Sequence, residues 1–115
     1  MRRGDVYLVD LELGRGAEAN KSRPAVLVSN DAANRSAERN GRGTVTVVPL
    51  TSNTTRVYPF QVLVPAGEAR LERDSKAQAE QLRSVDVGRL RLRLGALPVT
   101  TLRQLDSALR LHLSL

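Results

Sequence analysis

The last quarter of the chain changes period at a single proline. Before Pro98, "RLRLRLGAL" (89–97) alternates arginine with leucine, a repeat of two that gives a strand one apolar and one charged face. After it, "VTTLRQLDSALRLHLSL" sets Leu102, Leu105, Leu109 and Leu113 at steps of three and four, the spacing of an amphipathic helix. Pro98 keeps the strand from running into the helix. Thr101 is expected to cap that helix, with Gln104 three residues on as its capping-box partner. A helix with one apolar stripe needs a surface to lie on, so the upstream residues must supply one.

They read as strands. "GDVYLVDLEL" predicts a first strand over about 4–11, followed by a Gly-rich loop over about 12–22. "PAVLVSN" (24–30) predicts a second, and Pro24 can only open it or lie on an edge, because it has no amide hydrogen for a ladder. "DAANRSAERNGRG" (31–43) is polar and carries no apolar face, so it is read as a connection holding at most a helical turn. "TVTVVPLTS" (44–52) is β-branched and alternating, a third strand. "NTTR" reads as a turn, and "YPFQVLV" (58–64) as a fourth strand ended by Pro65-Ala66-Gly67. "DSKAQAEQLRSVD" (74–86) fits strand or helix, and its neighbours favour strand. About six short strands and one C-terminal helix make a mainly β chain, a small barrel with the helix over one opening or edge. At 115 residues it is expected to be one domain over 1–115, with a modest core that oligomerisation would help.

Charge narrows the partners. Lysine and arginine number 18 against 12 acidic residues, a net charge of +6. Lys21 and Lys76 are the lysines, so nearly all of the basic residues are arginine, whose planar fork suits phosphate. An arginine-rich basic domain points to an anionic polymer, with a plain solubility charge as the other reading. The aromatics are Tyr7, Tyr58 and Phe60, too few for a base-stacking platform, so nucleic-acid contacts would rest on arginines, backbone amides and loop shape. No apolar run approaches the roughly 18 residues of a membrane span. Met1-Arg2-Arg3-Gly4-Asp5 has no apolar signal core behind it, so a cytoplasmic protein with no membrane partner is expected.

The chemistry-bearing residues are few. There is no cysteine, and the one histidine, His112, sits in the terminal helix and reads as a surface or interface residue. The acidic residues form no close pair suited to holding magnesium, and no P-loop or dinucleotide fingerprint occurs, so no metal and no cofactor are expected. What stands out is Arg23 at the join between a mobile-looking loop and a strand, with Glu18 and Lys21 in the loop and Thr51-Ser52 at another strand's end. Such a set can serve RNA cleavage. The 2′-hydroxyl beside the scissile phosphate is the nucleophile, and the phosphorane needs fixed positive charge and hydrogen-bond donors. The residues alone leave Arg23 open as a surface ion pair with Glu18, and Thr51 open as an ordinary strand threonine.

Five motifs in order carry a resemblance over essentially the whole chain. "RGDVYLVDL", "GRGAEANKSRPAVLVSN" with its Gly-x-Glu loop running into Arg-Pro, "VTVVPLTS", "VYPFQV" and "AEQLRSVD" resemble the MazF/PemK family of toxin endoribonucleases from bacterial toxin–antitoxin pairs. The resemblance implies an SH3-like barrel that forms a homodimer. It implies metal-independent, sequence-specific cleavage of single-stranded RNA, leaving 2′,3′-cyclic phosphate and 5′-hydroxyl ends and arresting translation and growth. Messenger RNA is the implied substrate, with ribosomal and transfer RNA as further ones. It also implies a cognate antitoxin of the MazE kind, whose acidic, disordered C-terminal segment lies over the RNA groove. Carried over position by position, Arg23 and Thr51 match the family's catalytic pair, and the loop glutamate implicated in some members maps to Glu18. Gln81 matches a position near the RNA groove, and Arg15, Gly16, Lys21, Ser52, Asn53 and Arg83 are the further RNA-binding candidates. Gly14 and Gly16 would let the loop order over RNA or antitoxin. The long basic 31–43 segment and the polar "SKAQAEQ" depart from many members, so base preference is not inherited.

Two other classes stay open. A gyrase poison of the related CcdB type would share the barrel, but that branch lacks the loop Arg-Pro motif and acts through C-terminal residues that "LRLHLSL" does not match. A barrel that binds nucleic acid without cutting it would share the charge, and a cleavage assay in EDTA separates the two.

Overall fold

A computed structural model describes residues 1–11 and 22–115. The loop expected over about 12–22 falls almost wholly outside them, and with it Gly14, Arg15, Gly16, Glu18 and Lys21.

Seven strands form one antiparallel sheet: β1 (Asp5–Asp10), β2 (Ser22–Leu27), β3 (Thr44–Thr51), β4 (Gln61–Val64), β5 (Ser75–Gln78), β6 (Arg83–Asp86) and β7 (Leu90–Ala96). Two helices complete the fold, α1 (Asp31–Asn40) and α2 (Val99–Leu113). The hydrogen-bonded order is β4-β5-β3-β2-β1-β7, with β6 pairing β3 as well. β3 is the hub. One of its edges takes β2; the other takes β6 over Thr44–Val47 and then β5 over Leu50–Thr51.

Alternation along the central strands buries both faces of the sheet. Val26 and Val28 with Val48 and Leu50 enter one apolar cluster, together with Val6, Val62, Val64 and the α2 residues Leu105, Ala108 and Leu109. Ala25 and Leu27 with Val45 and Val47 enter a second, together with Val9, Val85, Val87 and Ala37 of α1. Irregular register between β1 and β7, at Val6/Tyr7 and Leu8/Val9, increases the local twist. β4 and β7 end the hydrogen-bonded path, and α2 lies against β4. The turn after β4 reaches β7 instead: a Cβ on Gly95 would come within 2.9 Å of the Ala69 backbone.

The mainly β class with a C-terminal helix is as read, and four local expectations change. Residues 31–40 form a full helix rather than a single turn. Asn30 caps it by accepting from the Ala33 amide at 2.8 Å, and Gly41 closes it at φ 68°. The helix docks through Ala37 and a fully buried Asn34, whose amide donates to the Ser29 carbonyl at 2.8 Å. An alanine and an asparagine leave no apolar stripe to detect. The 74–86 segment is two strands, β5 and β6, parted by a 3₁₀ turn at Ala79–Gln81, which gives seven strands instead of six. The fourth strand begins at Gln61, because a turn ahead of it is closed by the Gln61 amide donating to the Tyr58 carbonyl at 2.8 Å, with the Tyr58 and Phe60 rings stacked 5.3 Å apart. Pro98 holds the N-cap position of α2. Thr101 lies inside the helix, buried, and donates to Glu68 Oε1 at 2.8 Å instead of capping. Leu105 and Leu109 are buried as the helical spacing predicts and Leu102 is partly buried, while Leu113 is exposed at the end of α2.

Candidate active-site cleft

Register builds the site. β2 and β3 pair Ala25 with Pro49, Val26 with Val48 and Leu27 with Val47. Carrying that register two residues further sets Arg23 opposite Thr51. On Thr51's other side the partner is Lys76 of β5. Arg23 itself pairs with Val9 of β1, so its backbone is held from that strand while its side chain is exposed. Pro24 does not open β2 as expected but is its third residue, paired with Leu8 of β1, and the pairing with β3 starts only after it, at Ala25.

Arg23, Thr51 and Ser52 line one cleft of about 760 Å³. Its apolar lining includes Leu8, Leu50, Leu71 and Leu94, and the turn after β4 contributes Arg70, Glu72 and Arg73. Gln78 completes the lining from the end of β5. Asn53, Gln81 and Arg83 do not line it: Gln81 is exposed on the 3₁₀ turn, and Arg83 opens β6 opposite Val47. No residue of 31–43 lines it either, since α1 packs on the sheet's second apolar cluster.

The chain after Thr51 is shaped by its own side chains. Thr51 Oγ1 accepts from the Asn53 amide at 3.2 Å, and Asn53 Oδ1 accepts from the Thr55 amide at 3.3 Å. With the lone pair so used, the Thr51 hydroxyl proton is left to donate elsewhere. Lys76, 9% exposed, fastens the same loop by donating from Nζ to the Arg56 carbonyl at 2.6 Å. Gln61 adds to this, accepting from the Tyr58 amide at 3.1 Å and donating to Glu80 at 2.8 Å.

The structure sorts the arginines. Arg3 pairs with Asp106 at 2.7 Å, Arg91 with Asp10 at 3.4 Å and Arg93 with Asp5 at 3.2 Å, and Arg89 reaches the Asp10 carbonyl at 3.2 Å. Arg23, Arg70 and Arg73 make no side-chain hydrogen bond or ion pair among the described residues, and all three face the cleft. The shifted ionisations lie elsewhere. A hydrogen bond from Arg93 to Asp5 pushes the guanidinium up, burial and then the Asp5 charge push the Tyr7 phenol up, and the Arg3 amide holds the Asp31 carboxyl down.

Arg70, Arg73 and Gln78 were not singled out by the sequence. The signal was there in "GEARLERDSKAQ", two arginines in a turn just ahead of a strand, but nothing local says which cleft the turn faces.

Comparison with known proteins gives the family. A family model described as PemK-like, MazF-like toxin of type II toxin–antitoxin system matches residues 2–113. The chain is 56% identical over 115 residues to endoribonuclease MazF9 of Mycobacterium tuberculosis, covering all of this chain and 98% of that one. It is 33% identical over 116 residues to endoribonuclease MazF of Staphylococcus saprophyticus, covering all of this chain and 92% of the relative. Among solved structures, an endoribonuclease in complex with its cognate antitoxin from a mycobacterial species superposes with a TM-score of 0.77 at 28% identity, covering all of this chain and 96% of that one. A mainly β chain matched end to end by relatives of one kind leads to one assignment: the chain belongs to the PemK-like, MazF-like toxins of type II toxin–antitoxin systems.

Proposed function

We propose that this toxin is an endoribonuclease that cuts single-stranded RNA in the cleft between Arg23 and Thr51. The observation that carries the reading is their shared cleft, a guanidinium and a hydroxyl borne by neighbouring strands. In the step, the 2′-hydroxyl oxygen attacks the adjacent phosphorus and loses its proton. The bond to the 5′-oxygen breaks, and that oxygen takes a proton from solvent and leaves as a hydroxyl, which balances the proton given up by the 2′-hydroxyl. The products are a 2′,3′-cyclic phosphate and a 5′-hydroxyl, with no water consumed. Arg23 sets fixed positive charge against the phosphorane oxygens, and the Thr51 hydroxyl donates to one of them. Because the strands hold both backbones in place, the two side chains start within reach of the phosphate. Glu18 belongs to the same proposal, as the carboxylate able to take the 2′-hydroxyl proton. Ser52, Asn53, Gln81, Arg83, Arg15, Gly16 and Lys21 are assigned to RNA binding around that centre.

The partners follow from the relatives. An endoribonuclease of this fold is solved with its cognate antitoxin. This chain is assigned an antitoxin of its own, whose acidic segment covers the arginines of the cleft. It is read as a single domain over 1–115, acting as a homodimer in the cytoplasm; no described helix is long and apolar enough to cross a membrane.

The test is cleavage by purified protein in excess EDTA, with the new 3′ end identified. RNA should be cut to cyclic-phosphate ends while DNA of the same sequence stays whole. RNA left intact would favour a barrel that binds without cutting.

A further inference from the structure

The turn after β4 is built in a costly conformation, and that conformation faces the cleft. Ala69 (φ 51°) and Arg70 (φ 59°) are consecutive non-glycine residues in the left-handed region. Such residues persist only where the surroundings hold them, and they concentrate at functional sites. Here the surroundings do hold them. The Gly67 amide donates to the Leu71 carbonyl at 2.8 Å, and the Ala66 amide to Asp74 Oδ1 at 2.8 Å. Thr101 grips Glu68 from α2 at 2.8 Å. Gly95 lets β7 press against Ala69 where any side chain would clash.

The result is a fastened turn lining the same cleft as Arg23 that carries two exposed guanidiniums, Arg70 and Arg73, with no acidic partner among the described residues. Elsewhere on the sheet Asp5 and Asp10 take up the arginines of β7. We propose that this turn is a second phosphate-binding wall, with Arg70 and Arg73 holding phosphates of the single-stranded RNA that flank the one at Arg23. The proposal rests on the endoribonuclease reading. It makes the turn a binding element and leaves the chemical step to Arg23 and Thr51. Arginine suits the task because its fork takes two phosphate oxygens at once.

Strain supplies a test that a purely structural turn would fail. Glycine adopts φ near 59° without penalty, so Arg70→Gly should leave the melting temperature unchanged or raise it. The same variant should raise KM for RNA about three- to tenfold with kcat unchanged. Arg73→Ala should act in the same direction. Binding of a short random-sequence single-stranded DNA, which lacks the 2′-hydroxyl and is not cut, gives affinity apart from chemistry. Its log–log salt slope should lessen by about 0.7 for each phosphate left without its arginine, and by about twice that in the double variant. Arg70→Lys should keep most of the slope. If wild-type protein cuts RNA but Arg70→Gly and Arg73→Ala retain its KM and salt slope, the second wall is overturned while the nuclease reading stands. If wild-type protein leaves RNA intact yet binds the DNA with a slope that the variants flatten, the nuclease reading fails and the wall survives as an anion site. Unaltered RNA kinetics with weakened affinity for an acidic antitoxin peptide would assign the turn to the antitoxin and overturn the proposal.

Discussion

Arg23 gains its position from its neighbours on both sides. Pairing with Val9 fixes its backbone, Pro24 fixes the next turn of chain, and no carboxylate among the described residues draws its guanidinium aside. Thr51 is fixed from the other direction, through its partner Lys76 and the Asn53 amide. Removing a preorganised donor from a developing oxyanion costs about two to three orders of magnitude in rate. Arg23→Ala and Thr51→Ala should each lower kcat on RNA by at least about a hundredfold and abolish growth inhibition on expression. Circular dichroism and melting temperature should match wild type, because neither side chain belongs to an apolar cluster. Thr51→Ser, which keeps the hydroxyl, should retain most of the rate. A soluble Arg23→Ala protein that still arrests growth would remove the residue from the chemistry.

α1 is the element whose stability turns most on polar groups. Asn34 is fully buried and donates to the Ser29 carbonyl, and the Ser29 hydroxyl donates back to its side-chain oxygen. Asn34→Ala removes the partner of the Ser29 carbonyl and of the Ser29 hydroxyl proton, leaving that oxygen only its bond from the Thr46 amide, so urea unfolding should show a loss of about 1–3 kcal/mol. Asn30→Ala, which removes the cap, should cost about 1 kcal/mol. Asp31 makes the same element sensitive to acid. Its carboxylate accepts from the Arg3 amide at 2.7 Å, and that bond, foremost, holds the group below the usual 3.8. The folded value lies below the unfolded one, so the carboxylate's contribution is present above about 4 and is lost as pH falls through the folded value. Asp31→Asn should flatten the acid limb of a stability-against-pH curve while leaving the neutral region less affected. An unchanged acid limb would remove Asp31 from that role.

At the scale of the whole molecule, a chain of 115 residues buries its two apolar clusters and still exposes Leu92 (56%), Val99 (64%) and Leu111 (57%). Light scattering at micromolar concentration should therefore give the mass of two chains, and a monomer there would count against a groove shared between subunits. With a net charge of +6 and a polyanionic substrate, KM for RNA should also rise steeply with salt. Much of this architecture is legible along the chain. Period-two runs mark β1, β3 and β7, the leucine spacing marks α2, and Arg23-Pro24 marks the mouth of β2, because each signal is a repeat or a restriction acting over a few residues. The helix α1, capped by Asn30 and Gly41, went unread because it carries no apolar stripe. What only the tertiary structure decided is which distant positions meet. Strand register brought Arg23 and Thr51 to one cleft, a part-buried Thr101–Glu68 hydrogen bond and a bare Gly95 hold the turn that brings Arg70 and Arg73 to it, and Asp5, Asp10 and Asp106 settled which arginines were engaged. Periodicity tells a residue which face it occupies; only the pairing of strands far apart in sequence tells it what it faces.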